Sequence, residues 1–210
     1  MDARLRQAAR AAVGFLPENE GLALYRAGLT GAEAGPLLEI GSYCGKSAIY
    51  LGAAARERGT VLYSIDHHRG SEEHQVGEEY HDPGLVDPDT GTIDSFPQFR
   101  ATIAAAGLDE VVVPIVAASA VAARGWATPL GLLFVDGGHS EAAARTDYES
   151  WSHHVVAGGI LAVHDVFEDP ADGGRAPFMI YRAALRSGCF EEIAVEDSLR
   201  VLQRVDQARV

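Results

Sequence analysis

Apolar residues gather in short continuous runs at 37–40, 61–65, 111–116, 131–135 and 159–163. Between these runs the spacing changes to a helical period over 45–57, 95–106, 119–124 and 140–152. Continuous apolar strands alternating with helices predict a parallel sheet covered on both faces. After 163 the pattern changes. A helix is expected over 177–187, then two strands at 190–195 and 199–203, joined by the turn-prone Glu196-Asp197-Ser198. The fold class read from this order is α/β, a Rossmann-like seven-stranded sheet, mostly parallel with an antiparallel C-terminal strand. Ahead of it, an alanine- and arginine-rich helix over 2–13 and a second over 18–27 precede a break at 31–36. These two helices are expected to cap one sheet edge.

One stretch breaks the alternation. Residues 67–94 replace any apolar period with glycine, proline, four histidines and eight acidic residues. Loops this long within a compact domain are usually functional or disordered. The segment reads either as a polar lid or as a solvated insertion, and the lid is preferred because the segment follows the carboxyl end of the second strand, where α/β sheets bind ligands. The expected organisation is one domain over 1–210, with 1–36 as a helical cap and 67–94 as the lid.

Charge narrows the partners. A formal net charge of −13 on 210 residues opposes a polyphosphate backbone, so DNA and RNA are not expected as substrates. No apolar run could span a bilayer, and the run near the start is too short for a signal h-region. Cys44 and Cys189 lie far apart and form no zinc-type cluster, which suits a reducing cytoplasm. The N-terminal helices and the lid offer a surface for a homodimer.

The chemistry begins where the first strand meets glycine. Leu37 to Ile40 runs into Gly41-Ser42-Tyr43-Cys44-Gly45-Lys46-Ser47, and the second strand leads into Asp66-His67. A phosphate-binding loop needs four residues between its first glycine and Gly-Lys-Ser; here that first position is Ile40. The dinucleotide fingerprint fails as well, because Tyr43 stands where its second glycine must let a pyrophosphate approach. A nucleoside cofactor without a pyrophosphate is therefore preferred, with Asp66 placed to accept from ribose hydroxyls.

Two later strands bring acids and imidazoles to the same sheet edge: Asp136 to Ser140 after 131–135, and His164-Asp165 after 159–163. Aspartates brought together there repel unless a cation lies between them. Oxygen-rich ligation suits Mg²⁺ or Mn²⁺, and His164 keeps a softer ion open. His139 is placed to take a proton from a hydroxyl near neutrality. Glu72, His74 and Tyr80 offer hydrogen bonds to a substrate from the lid. Trp126 and Trp151 read as packing, and Asp147 and Glu149 as lying behind the site or on a solvated helix face.

Glu39, Gly41 and Gly45, with Asp66, resemble the first motifs of class I S-adenosylmethionine-dependent methyltransferases over about 18–203. The resemblance implies their seven-stranded sheet and S-adenosylmethionine bound by Glu39, Gly41, Ser42, Tyr43, Gly45, Ser47, Asp66, His67, Ala118, Ser119 and Asp136. The segments around Asp136-Gly137-Gly138-His139 and His164-Asp165, with lid residues 69–74 and 81–83, resemble metal-dependent sugar and natural-product O-methyltransferases of actinobacteria. Among these, the chain resembles the sugar O-methyltransferases of the mycobacterial methylmannose polysaccharide pathway. This implies Asp136 and Asp165 as ligands of Mg²⁺, with Mn²⁺ an alternative, and His139 as the base. His164 stands where some relatives carry an acid. The expected function is methyl transfer to a carbohydrate hydroxyl. A catechol or other small natural product is the alternative acceptor, and a catalytically silent cofactor-binding scaffold the alternative of another class.

Overall fold

The structure is a computed structural model, and it describes residues 1–71, 82–138, 140–169 and 175–205. Glu72, His74, Tyr80 and His139 lie outside the described residues.

The alternation of runs becomes one seven-stranded sheet. Its strands are β1 (Leu37–Ile40), β2 (Leu62–Asp66), β3 (Val112–Val116), β4 (Leu130–Val135), β5 (Val155–Val163), β6 (Phe190–Glu196) and β7 (Leu199–Arg204). Their order is β3-β2-β1-β4-β5-β7-β6. Strands β1 to β5 pair in parallel, whereas β7 runs antiparallel between β5 and β6. The expected C-terminal hairpin is present, and its second strand enters the sheet ahead of its first. Central β1 and β4 are buried along their whole length, as a sheet covered on both faces requires.

The helices are α1 (Ala3–Ala11), α2 (Glu18–Gly31), α3 (Lys46–Arg58), α4 (Phe96–Ala106), α5 (Ser119–Ala123), α6 (Glu141–Trp151) and α7 (Ala176–Arg186). One apolar cluster joins α1 to α4 to Leu37, Leu62, Leu132 and Ile160 on one face. The other joins α6 and α7 to Leu38, Ile65, Leu133 and Leu161. Strand periodicity explains the division: Leu37 and Leu38 point to opposite faces. Contrary to expectation the N-terminal helices do not cap a sheet edge: α2 covers a sheet face, and α1 packs outside it on α3 and α4. Leu24 and Tyr25 make α2 a core helix, which extends to Gly31 instead of ending near Ala27. Trp126 stacks edge-on against both Tyr63 and Trp151, so both tryptophans are packing residues.

The described parts of 67–94 are tied to the body by side chains that the polar pattern concealed. His68 is buried; its Nδ1 lies 2.8 Å from Ser95 Oγ, and its backbone N–H donates to Asp66. Leu85 and Ile93 pack on Cys44, immediately behind the glycine turn.

Candidate active site

Parallel strands deliver their carboxyl ends to one side, and the crevice opens where connections from neighbouring strands diverge. Here β1 lies between β2 and β4, and a cleft of about 1110 Å³ runs across the ends of β1, β2, β4 and β5. That is slightly above the usual range for a single-ligand pocket, enough for a nucleoside and an acceptor together.

The turn after β1 forms one wall. Gly41 has φ +85°, and a Cβ there would collide with the backbone carbonyl of Asp136, so the ends of β1 and β4 meet only because this residue is glycine. Asp66 stabilises the turn from the side: its Oδ2 accepts from the backbone N–H groups of Ser42 (2.9 Å) and Tyr43 (2.8 Å). The carboxylate also lines the cleft and retains acceptor capacity toward it. Ser42 Oγ is buried in the cleft wall without a hydrogen-bond partner among the described residues. An orphaned buried hydroxyl calls for a ligand. Ser47, His67, Ala118 and Ser119 line the same cleft.

Two expected cofactor contacts lie elsewhere. Glu39 is fully buried beneath the turn, where Ser47 Oγ (2.8 Å) and Ser64 Oγ (2.6 Å) donate to its two oxygens. Strand alternation directs it to the sheet face beneath the start of α3, so it supports the turn and does not line the cleft. Burial pushes its pKa up to about 8, and the two hydroxyls only partly oppose this. Gly45 likewise does not line the cleft. It starts α3 at φ +90° and packs against Phe99. Lys46 donates from Nζ to the carbonyl of Gly14 at 3.1 Å, which ties the α1–α2 connection over the cleft and answers the Gly-Lys-Ser resemblance. That connection adds Val13, Phe15 and Leu16 to the wall, with Phe15 stacked on Tyr43 at 5.8 Å. No period or motif pointed to these residues.

The opposite wall holds the acids. Asp136 follows β4, and His164-Asp165 follow β5. His164 Nδ1 lies 3.0 Å from Asp136 Oδ1 and 3.4 Å from Asp165 Oδ2. One ligand atom from each of the three falls within 4.8 Å of the others. Donors around an octahedral ion with bonds of about 2.1 Å stand roughly 3 Å apart when adjacent and roughly 4.2 Å apart when opposite. The cluster is close to that geometry, so the residues fit a divalent ion. They are equally compatible with a protonated imidazole. Burial disfavours the imidazolium, yet the charge and hydrogen bonding of Asp136, then hydrogen bonding to Asp165 and Glu20, hold the His164 pKa well above its ordinary value. Asp165 adopts φ +55°, a left-handed conformation that aspartate tolerates better than most residues.

Two further acids enter: Asp147, expected behind the site or on a solvated helix face, and Glu20, which sequence reasoning missed. Asp147 is buried, lines the cleft and accepts a hydrogen bond from Ser119 Oγ. Burial raises its pKa to about 6 against that bond. Glu20, from α2, is buried against His164 Nε2 at 2.7 Å.

A family model described as a methyltransferase domain matches residues 38–166, from β1 through the end of β5. The chain belongs to this methyltransferase family. Solved structures of the same fold include the O-methyltransferase NovP, with TM-score 0.68 and 17% identity over 90% of this chain and 81% of that one. The O-methyltransferase TomG from Streptomyces achromogenes, in complex with SAM, gives 0.65 and 16% over 98% and 91%. An O-methyltransferase from Bacillus cereus, in complex with SAH, gives 0.66 and 14% over 98% and 92%. In this methyltransferase the family match covers both the glycine turn and the acid–histidine cluster. No helix among the described residues is long and apolar enough to cross a membrane.

Proposed function

We propose that this methyltransferase transfers the methyl group of S-adenosylmethionine to a hydroxyl of a small molecule or oligosaccharide, with a divalent metal at Asp136, His164 and Asp165. The supporting observation is one cleft with two chemically different walls: a glycine turn with an orphaned serine hydroxyl, and an acid–imidazole cluster opposite. Asp66 accepts from the ribose, Ala118 and Ser119 border the adenine, and Ser42 Oγ takes a cofactor partner. S-adenosylmethionine brings an electrophilic methyl on its sulfonium. Mg²⁺ or Mn²⁺, when bound, supplies Lewis acidity toward the acceptor hydroxyl. His139 removes the hydroxyl proton as the new C–O bond forms, and the remaining residues orient the two partners for in-line displacement. Glu72, His74 and Tyr80 hydrogen-bond the acceptor. The acceptor is a carbohydrate of the methylmannose type, a reading carried by the lid and strand-end motifs.

An aromatic or otherwise apolar acceptor is the second reading. It is favoured by Phe15, 62% exposed beside Val13 and Leu16 at the cleft wall.

An acceptor panel with and without chelator separates the two. Methyl transfer to mannosides that chelator abolishes supports the first, and turnover confined to catechols removes the sugar. His139→Ala should lower transfer at least 100-fold and leave S-adenosylhomocysteine affinity within about twofold. Equal transfer by wild type and variant would remove the base assignment. No transfer by wild type to any acceptor would favour a silent cofactor-binding scaffold.

A further inference from the structure

Glu20 has no part in the chemistry described above, yet it is one of the few charged side chains buried in the body of the molecule, at 1% exposure. Its two oxygens are used differently. Oε1 accepts from Ser198 twice, from the backbone N–H at 2.6 Å and from Oγ at 2.7 Å. Oε2 faces His164 Nε2 at 2.7 Å. Ser198 occupies the turn between β6 and β7, so one carboxylate joins α2, the end of β5 and the C-terminal hairpin. The two Ser198 donors fix Oε1 as an acceptor and, with His164, hold the Glu20 pKa below its ordinary value against burial, so Oε2 meets Nε2 as a carboxylate oxygen that accepts its proton. The other ring nitrogen, Nδ1, then points at Asp136 and Asp165, 3.0 and 3.4 Å away. The backbone N–H of His164 donates to the Val135 carbonyl just beyond the last rung of the β4–β5 pairing, which places its Cα, and the buried ring is oriented by partners at both nitrogens.

A histidine that binds metal through one nitrogen usually donates its other N–H to a carboxylate, which sets the tautomer and aims the lone pair. We propose that Glu20 is the positioning residue for His164: it directs Nδ1 into the Asp136–Asp165 cluster, so that the ion is held by one imidazole nitrogen and two carboxylates. This rests on the metal reading of the cluster and deepens it. An imidazole donor suits first-row transition ions, whereas Mg²⁺ favours oxygen donors and retained water. The site therefore takes Mn²⁺ ahead of Mg²⁺.

Mn²⁺ alone is the probe, with the full chain. Pulsed electron paramagnetic resonance of Mn²⁺-loaded wild type should show a ¹⁴N coupling from a bound imidazole, absent in His164→Gln. Glu20→Gln turns an amide toward a set of donors and should weaken Mn²⁺ binding about 10- to 100-fold, with S-adenosylhomocysteine affinity unchanged. Ser198→Ala removes one of the bonds that seat Glu20 and should weaken Mn²⁺ severalfold; it carries the test if Glu20→Gln does not fold. Bound Mn²⁺ with no nitrogen coupling, or undiminished Mn²⁺ affinity in folded Glu20→Gln or Ser198→Ala, would overturn the positioning role and leave the metal reading standing. Wild type that binds no Mn²⁺ and transfers methyl groups in chelator would overturn both.

Discussion

Glu20 and Glu39 are both buried carboxylates, yet their pKa values move in opposite directions, because burial is outweighed at one and prevails at the other. At Glu20, hydrogen bonds from His164 and Ser198 outweigh burial and hold the pKa below its ordinary value. At Glu39, burial prevails over the two serine hydroxyls, and the charges of Asp136 and Asp66 add to it. A folded-state pKa raised from 4.5 to about 8 means that folding retains a proton on Glu39. Its stabilising effect is present in full below about 4.5 and is lost as pH rises through about 8. Glu39→Gln should thus leave stability little changed at pH 5 and raise it at pH 9, by an amount on the order of 2–5 kcal/mol. Denaturant titrations of both proteins at pH 5, 7 and 9 check this; a constant difference across the three would contradict it.

The cleft depends on how neighbouring elements are brought together. At the β1–β4 crossing, Gly41→Ala sets a Cβ against the Asp136 carbonyl at a positive φ. It should cost at least about 2 kcal/mol and abolish S-adenosylhomocysteine binding, measurable by thermal melting and calorimetry. At the α1–α2 connection, Lys46 contributes one hydrogen bond to Gly14, beside the aromatic stack of Phe15 on Tyr43 and the burial of Leu16 in the core. Lys46→Ala should weaken cofactor binding by about 3- to 10-fold, as expected for one hydrogen bond of about 1 kcal/mol, with stability changed by less than about 1 kcal/mol. Unchanged affinity would show that the connection does not help close the cofactor end of the cleft.

At the scale of the molecule, both walls of the cleft belong to the native state and are separated in the unfolded chain, so ligands that bind them raise stability by mass action. Mn²⁺ at about 100 times its dissociation constant should add about 2.7 kcal/mol. For a chain of this size that is roughly 5–10 °C in melting temperature. Asp136→Asn should remove most of the increment, and an equal shift in that variant would place the ion elsewhere. How much of this was legible beforehand follows from range along the chain. The strands, the alternation of helices and the glycine turn are local periodicities and spacings, so the α/β sheet, its C-terminal hairpin, and Asp66, Asp136, His164 and Asp165 at one sheet edge could all be read from the sequence by itself. The sequence also excluded the phosphate loop, through one missing residue at Ile40. Glu39 could not be placed that way, because a motif records position along a strand but not which face receives the side chain. Nor could Glu20 and Ser198, 178 residues apart and in hydrogen-bond contact, nor the Lys46–Gly14 bond, nor the seating of Leu85 and Ile93 on Cys44. Only the tertiary structure decided these, because each contact joins residues that no local pattern relates until the sheet has closed.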